Sequence, residues 1–315
     1  MAAFVGNRPG NPRLGYTFAS LTMLVSGVAI YVNSIGVKMF PDSTLYTLLK
    51  NAIVGMVLLG AFVVRKETRA ELCKAGYREL ALLLVVALIG GSIAYALDFR
   101  GLQIATPVTA SLIDHTQFLF VALLAALLLR ERVGGTVWAA LGVLLVGLTI
   151  GVRFDAVRWD AGVSYLLAAT ALFAVDFILI KYLLRTVSAL TVMTFKMFVG
   201  AALLLAFVAA TGHLGLVTRL QAIQWEFAAV TGLILLAFTV TSILGLRHAS
   251  ATAVTAIPAA APIVTTILVA LSREVAIAPT KWLGLALMVV ALLVILIFGF
   301  RRELRIARPG QSKVV

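Results

Sequence analysis

Four ionisable residues stand inside long apolar stretches of this 315-residue chain. They are two lysines and two aspartates: Lys50, Asp114, Asp176 and Lys196. On insertion scales, a charge at the centre of a membrane-spanning helix costs about 2.5–3.5 kcal/mol. Such residues therefore form internal ion pairs, bind ions or polar ligands, or exchange protons.

The depths of these residues in their apolar stretches predict two ion pairs. At about 1.5 Å per residue, Lys50 and Asp114 each lie about 12 to 15 Å from the predicted outer surface. Asp176 and Lys196 each lie about 10 Å from the predicted inner surface. We therefore expect Lys50 to pair with Asp114, and Lys196 with Asp176. Two interpretations remain open: the pairs fix helix register, or the residues line a cavity that binds a substrate or a coupling proton, exchanged by Asp114 or Asp176.

Further polar side chains fall near these charges. Gln117 lies one helical turn after Asp114 and should share its face. Together with Tyr46, Asn51 and Tyr95 it offers hydrogen-bonding groups for a polar ligand. We assign these four residues to the same substrate-binding or coupling site.

Two more charges, Asp98 and Arg100, close the third apolar stretch. We place both at the outer mouth of the protein, where a solvated local pair is the simplest interpretation. His115 follows Asp114 directly, and adjacent helical residues point about 100° apart. A buried, neutral histidine satisfied by a neighbour is therefore expected there.

Proline and glycine patterns predict two local features of the helices. Pro258 and Pro262 lie inside the ninth apolar stretch, where each removes a helix hydrogen bond and clashes with the preceding turn. We expect a kink that turns carbonyl groups toward a cavity or a neighbouring helix. Gly147 and Gly151 form a small-xxx-small motif, which is typical of close helix contacts. That contact could be internal or between two copies of the chain.

The elements that position these residues are predicted membrane helices. The chain is 62% hydrophobic and 12% charged, whereas soluble proteins are roughly half apolar and a quarter charged. A span needs about 20 apolar residues, and it is helical because lipid offers no hydrogen-bond partner to the backbone. Ten such stretches occur, at 15–37, 42–64, 79–99, 104–129, 134–152, 161–183, 189–210, 226–246, 251–272 and 280–299. The predicted fold class is an all-α integral membrane protein with ten transmembrane helices.

The distribution of basic residues predicts the orientation. The chain has 26 lysines and arginines and a formal net charge of +13. Most of the basic residues fall in loops on one side of the predicted membrane, which is the cytoplasmic side by the positive-inside rule. We expect a multi-pass protein of the cell inner (cytoplasmic) membrane, with cytoplasmic tails at 1–14 and 300–315. The charge therefore does not indicate nucleic-acid binding.

An internal repeat relates the two halves of the chain. The stretch GLQIAT from Gly101 resembles GLRHAS from Gly245, and Lys50 with Gly55 parallels Lys196 with Gly200. We assign one repeat to 15–152 and the other to 161–299. Each repeat has five predicted spans, so the halves insert with opposite orientation around a central cavity. Inverted repeats of this kind are typical of secondary transporters.

Several of these segments resemble the drug/metabolite transporter superfamily, and within it the EamA-type ten-helix transporters. In the first half they are GLQIATPVTASLI (101–113), LLLRERV (127–133), Trp138 and Gly142; in the second, GLRHASATAV (245–254), SREV (272–275) and Trp282-Leu283-Gly284. The resemblance implies ten helices in two repeats, cytoplasmic termini and a central cavity that opens alternately to each side. It also implies export of amino acids or other metabolites.

The predicted function is secondary active transport of a small polar or amphipathic metabolite such as an amino acid. Export is the predicted direction. Its expected partners are this substrate, lipid and a proton, and the chain acts as a monomer or homodimer. A non-transporting membrane sensor or scaffold is one alternative. A membrane-embedded enzyme is another, but one cysteine and three histidines do not form a metal-site pattern, and hydrolase and P-loop motifs are absent. We therefore predict no catalytic residues, metal or cofactor.

Overall fold

The computed structural model describes residues 11–105, 110, 113–131, 133–152, 160–273 and 279–307, and the regular structure in these ranges is helical. The α-helices are α1 (Pro12–Gly36), α2 (Ser43–Val64), α3 (Lys66–Lys74), α4 (Tyr77–Leu88), α5 (Ala94–Ile104), α6 (Gln117–Leu128), α7 (Gly135–Val152), α8 (Ala161–Leu183), α9 (Ala189–Thr194), α10 (Gly200–Ala210), α11 (Ala222–His248), α12 (Ala251–Ala256), α13 (Pro262–Arg273), α14 (Pro279–Val294) and α15 (Phe300–Ala307). Short π-helical turns join α4 to α5, α9 to α10 and α14 to α15, which makes three longer continuous helices.

Eight helical segments among the described residues are long and apolar enough to cross a membrane. The fourth and fifth predicted spans correspond instead to the shorter apolar helices Ile113–Leu128 and Gly135–Gly151. The structure therefore supports a multi-pass membrane protein with eight full-length spans in its described part. The expected count of ten is not reached there and stays a prediction.

Side-chain caps fix where several helices begin. Asp42 accepts hydrogen bonds from the backbone N–H groups of Thr44 and Leu45, at 2.6 and 3.0 Å, and so starts α2. Asp160 accepts from Val163 N at 3.1 Å at the start of α8. Such caps satisfy N–H groups that have no partner inside the helix, typically for about 1 kcal/mol each.

Glycine allows two helix pairs to cross closely. A Cβ atom at Gly284 of α14 would lie 2.7 Å from the Gly147 carbonyl oxygen and 2.5 Å from Gly151 Cα. The predicted small-xxx-small contact of α7 is therefore internal to the chain. The π turns Ile89–Ile93 and Phe195–Val199 cross in the same way, because a Cβ at Gly91 would overlap the carbonyl oxygen of Lys196.

The ninth predicted span is broken at its prolines. The α-helix stops at Ala256, continues as a 3₁₀ turn at Pro258–Ala260 and resumes at Pro262. Because α1 has glycine at position 27, it approaches this break closely: a Cβ there would lie 2.9 Å from the Ala261 carbonyl oxygen. The helix is interrupted at its prolines, as expected, and the Ala261 carbonyl oxygen that faces α1 still accepts a hydrogen bond from Thr265 N at 3.1 Å.

Helical structure extends into both predicted tails. α1 already begins at Pro12, and α15 continues the last helix to Ala307. Residues 1–10 and 308–315 lie outside the described residues, as do 106–109, 111–112, 132 and 274–275 of the segments quoted above. The core forms where α1 packs on α11, α5 on α8 and α7 on α14.

Candidate functional site

A cavity of about 200 Å³ lies among helices drawn from both halves of the chain. Six of the predicted site residues line it: Lys50, Tyr95, Asp98, Asp114, Gln117 and Lys196. The helix break contributes Pro258 to the wall. The sequence thus identified much of the polar lining, although the structure arranges it differently from the expectation.

Lys196 and Asp176 form the expected ion pair. Lys196 Nζ donates to Asp176 Oδ2 at 2.5 Å, and the side chains are 6% and 0% exposed. Asp176 is absent from the cavity lining, unlike its predicted place, because it lies behind the lysine against the π turn Ile89–Ile93. Gly90 makes room for it, since a Cβ at that position would overlap the carboxyl group. The pair is thus packed into the interior, and only its lysine reaches the cavity.

Lys50 does not pair with Asp114, so that expectation was wrong. It is 2% exposed, and its Nζ donates to Asn33 Oδ1 at 2.7 Å. The Nζ also lies 4.7 Å from the ring centre of Tyr46 and 4.4 Å from that of Phe99. In the described ranges, no carboxylate lies within 4 Å of this ammonium. An amide oxygen and two aromatic rings therefore hold the charge.

Asp114 instead lies beside Asp98, close enough for the two carboxyl groups to interact by charge and through a side-chain hydrogen bond. Both line the cavity, so the expected place of Asp98 at the outer mouth was wrong. Arg100, two residues on, is exposed and donates to Gln103 Oε1 at 2.9 Å, so the two charges do not pair. Two ionised carboxylates offer only acceptors, and the hydrogen bond between them requires a shared proton.

Tyr46 and Asn51 support the site from behind rather than line it. Tyr46 is fully buried and donates from its hydroxyl to Asn33 Oδ1 at 2.7 Å. Asn51 Nδ2 donates to the carbonyl oxygen of Gly91 in the first π turn, at 2.8 Å. Neither belongs to the cavity lining, although both were expected to face a ligand. A π turn leaves backbone groups to be satisfied, and Asn51 satisfies one of them.

Asn33 is the residue that sequence reasoning missed. Its side-chain oxygen accepts from both Tyr46 and Lys50, and it lines the cavity. The available signal was a polar amide in the otherwise apolar stretch AIYVNSIG of the first span. Gln117 offers a further free group, because its Nε2 is buried without a hydrogen-bond partner in the described structure.

Aromatic rings form the apolar part of the wall. Tyr95 stacks against Phe99 with ring centres 6.5 Å apart, and its edge meets Phe173 at 5.0 Å. Phe177 and Phe238 also line the cavity. The site therefore combines two cations, a carboxylate pair and a largely aromatic surface, which suits a small amphipathic molecule.

A second cluster holds the link between α11 and α12. Glu303 Oε1 accepts from Ser250 Oγ at 2.5 Å, and Glu131 Oε1 accepts from Ala251 N at 2.8 Å. Lys181 Nζ donates to the carbonyl oxygen of Ala249 at 2.5 Å. A cavity of about 210 Å³ lies beside the two glutamates. Glu131 belongs to the repeated Arg-Glu segment, but the sequence did not indicate this contact.

Comparison with known proteins gives a family and a fold. The model of the EamA-like transporter family matches twice, at residues 13–152 and 160–297. No curated protein matches the chain. One solved protein crystal structure superposes with a TM-score of 0.70 at 20% sequence identity, covering 91% of this chain and 98% of the other. At that identity the superposition supports the fold alone.

Proposed function

The chain belongs to the EamA-like transporter family, and we propose that it is a secondary active transporter of a small polar or amphipathic metabolite such as an amino acid. Membership makes it a multi-pass membrane protein of the drug/metabolite transporter type, with a small-molecule substrate in a lipid setting. The observation that carries the proposal is the cavity lined by Lys50, Asp98, Asp114 and Gln117. Intramembrane charges that face a cavity typically mark a substrate or ion pathway.

The architecture that we propose is ten helices in two inverted repeats, 15–152 and 161–299, with both termini cytoplasmic in the inner membrane. The two matches of the family model, at residues 13–152 and 160–297, support this division of the chain. In this proposal the two shorter apolar helices, Ile113–Leu128 and Gly135–Gly151, are the fourth and fifth spans. Alternating access around the cavity follows from such a symmetry. Export is the proposed direction, on the family resemblance alone.

We propose that the cavity closes toward one side of the membrane at the cluster of Glu131, Lys181 and Glu303. These side chains hold the backbone of the α11–α12 link from α8, from α15 and from the loop that follows α6. Under the proposed orientation the cluster lies on the cytoplasmic side. Its hydrogen bonds would have to break for the cavity to open there.

Coupling is proposed to use the proton shared by Asp98 and Asp114. This pair lines the cavity, whereas Asp176 is committed to Lys196. Release of the shared proton would place two negative charges side by side, so a change of surroundings during the cycle readily alters its occupancy. Between the two candidates from the sequence, the geometry thus favours Asp114, with Asp98 as its partner.

The test is flux measured in proteoliposomes. Compounds that raise the unfolding temperature of the purified protein are first selected from amino acids, amines, organic acids and nucleosides, because a ligand that binds only the folded state stabilises it. Flux of a selected compound into protein-containing vesicles, and not into empty ones, supports transport. Binding without flux supports the sensor alternative and overturns the proposal.

Coupling is tested with Asp98→Asn and Asp114→Asn in the same vesicles. A carboxyl beside an amide needs no shared proton, so flux should lose its dependence on an imposed pH gradient in both variants. Arg100→Gln, an exposed neighbour outside the pair, is the control and should behave as wild type. Gradient-driven flux that persists in both aspartate variants overturns the coupling role.

A further inference from the structure

Lys50 is a buried cation at the cavity wall with no anionic partner in the described residues. An ammonium removed from water needs compensation, and proteins usually provide it with a carboxylate. Lys196 follows this rule through Asp176. At the 147-residue offset that relates Gly15 to Gly162, the counterpart of Asp176 is Ala29, which also lines the cavity. The first half of the chain thus has the lysine without its counter-ion.

The groups that hold Lys50 leave its ammonium incompletely satisfied. A lysine has three N–H donors, and the structure gives this one a single hydrogen bond, to Asn33 Oδ1. That oxygen is already shared with the hydroxyl of Tyr46. The rings of Tyr46 and Phe99 position the charge by cation–π attraction but accept no conventional hydrogen bond. Acceptors supplied from the cavity would complete the site.

The other charges of the cavity do not fill this role. Asp98 on α5 is the carboxylate that acts electrostatically on Lys50, but it lies beyond 4 Å and its hydrogen bond goes to Asp114. Lys196 is neutralised by Asp176. An anion that enters the cavity is therefore repelled near Asp98 and Asp114 and attracted at Lys50.

We propose that Lys50 binds an anionic oxygen group, a carboxylate or a phosphate, on the transported molecule. The inference rests on the proposed transport function and narrows its substrate class. The bound group accepts the two free N–H donors of the ammonium, and the aromatic wall at Phe99 and Phe173 contacts the apolar body of the molecule. The molecule itself supplies the counter-ion that Ala29 does not.

The test uses the purified full chain in detergent and compounds that differ only in the anionic group. The carboxylates are 3-phenylpropionate, L-phenylalanine and L-leucine. Each is paired with its amide, in which an uncharged carboxamide replaces the carboxylate, and glycerol 3-phosphate is paired with glycerol. Phenethylamine represents the simple cations. In thermal-shift titrations at constant ionic strength, at least one of the anionic compounds should bind at least tenfold more tightly than the paired compound that lacks the anionic group. Tighter binding of the carboxylates indicates a carboxylate substrate, and tighter binding of glycerol 3-phosphate indicates a phosphate substrate.

Variants assign the effect to one side chain. Lys50→Gln should weaken binding of the responding anion at least tenfold, and Lys50→Arg should retain most of it. Lys38→Gln, which removes a positive charge from an exposed site outside the cavity, should leave binding unchanged. Should Lys50→Gln fail to fold, Lys50→Arg and the acid–amide comparison in the wild type still decide the matter.

The outcomes separate this inference from the proposed function. Amides or phenethylamine that bind as well as the acids, or anion binding that survives Lys50→Gln, overturn the role of Lys50 while transport stands. A protein that neither binds nor moves any compound of any charge class overturns the proposed function, and this inference with it.

Discussion

Lys50 and Lys196, which the sequence pattern predicts to be equivalent in the two halves, are buried to nearly the same degree and differ in what surrounds the charge. Lys196 has a carboxylate at 2.5 Å, with Gly90 making room for it. Lys50 has an amide oxygen and two rings. The difference indicates that two buried lysines can be held in unlike ways: one by an ion pair within the helix packing, the other at a cavity wall with no carboxylate within 4 Å in the described residues.

The largest effect expected from this contrast is on stability. Lys196→Met leaves Asp176 buried without its partner, which should cost about 3–5 kcal/mol of unfolding free energy. Lys50→Met leaves no carboxylate behind and should cost clearly less. The comparison is made by denaturant unfolding of both variants in the same detergent.

Two results would contradict this difference between Lys50 and Lys196. Equal losses in the two methionine variants would show that Lys50 is as tightly committed as Lys196. The double variant Lys196→Met with Asp176→Leu should recover most of the lost stability, because an ion pair replaced by apolar residues is often neutral. Failure to recover would mean that the pair is not the source of the loss.

Gly90→Ala should produce the next largest effect. The added methyl group would overlap the Asp176 carboxyl, and overpacking of this kind typically costs about 1–3 kcal/mol. Gly60→Ala is the matched control, because a Cβ there meets nothing within 4 Å and alanine favours the helix. A Gly90→Ala protein as stable as its control would show that Asp176 is free to move.

Much of this arrangement could be predicted from sequence. Apolar length gave the helices, and matched depth gave the Lys196–Asp176 pair. Depth along an axis does not report which way a side chain points around it, so Lys50 and Asp114 were paired wrongly. Only the structure shows that Asn33, on another helix, reaches the same ammonium.

Asp98 was misplaced for a different reason. The third span was predicted to end at residue 99, whereas its helix runs to Ile104. Asp98 therefore lies more than one turn before the helix end, where it faces Asp114 rather than the surface. The end of a helix is difficult to predict from sequence. Here the uncharged residues Gly101 and Leu102 beyond the predicted end continue the helix.

Ala29→Asp adds to the first half the carboxylate that Asp176 provides in the second half. It tests whether Lys50 can be given a counter-ion in the way that Lys196 has one. The new carboxylate should occupy Lys50 and weaken binding of the responding anion about tenfold or more, which is about 1.4 kcal/mol. Ala29→Asn adds a similar volume without charge and is the control. Anion affinity that Ala29→Asp leaves at the wild-type value would contradict the proposed vacancy beside Lys50.

The smallest expected effect belongs to Tyr46→Phe. The ring that faces Lys50 is kept, and one hydrogen bond to Asn33 is lost, which typically costs about 0.5–1.5 kcal/mol. Asn33 then serves Lys50 alone, so anion affinity should fall only a few-fold in the same thermal-shift titration. A loss as large as that of Lys50→Gln would assign the hydroxyl itself a direct role in binding.

The most direct measurement of the central claim is an experimental structure of the protein with the responding anion bound. We expect a carboxylate or phosphate oxygen about 2.7–2.9 Å from Lys50 Nζ, the usual length of a charge-assisted hydrogen bond, with Lys196 still paired with Asp176. An anion held by Lys196, or bound in the cavity away from both lysines, would contradict the division of roles between the two halves.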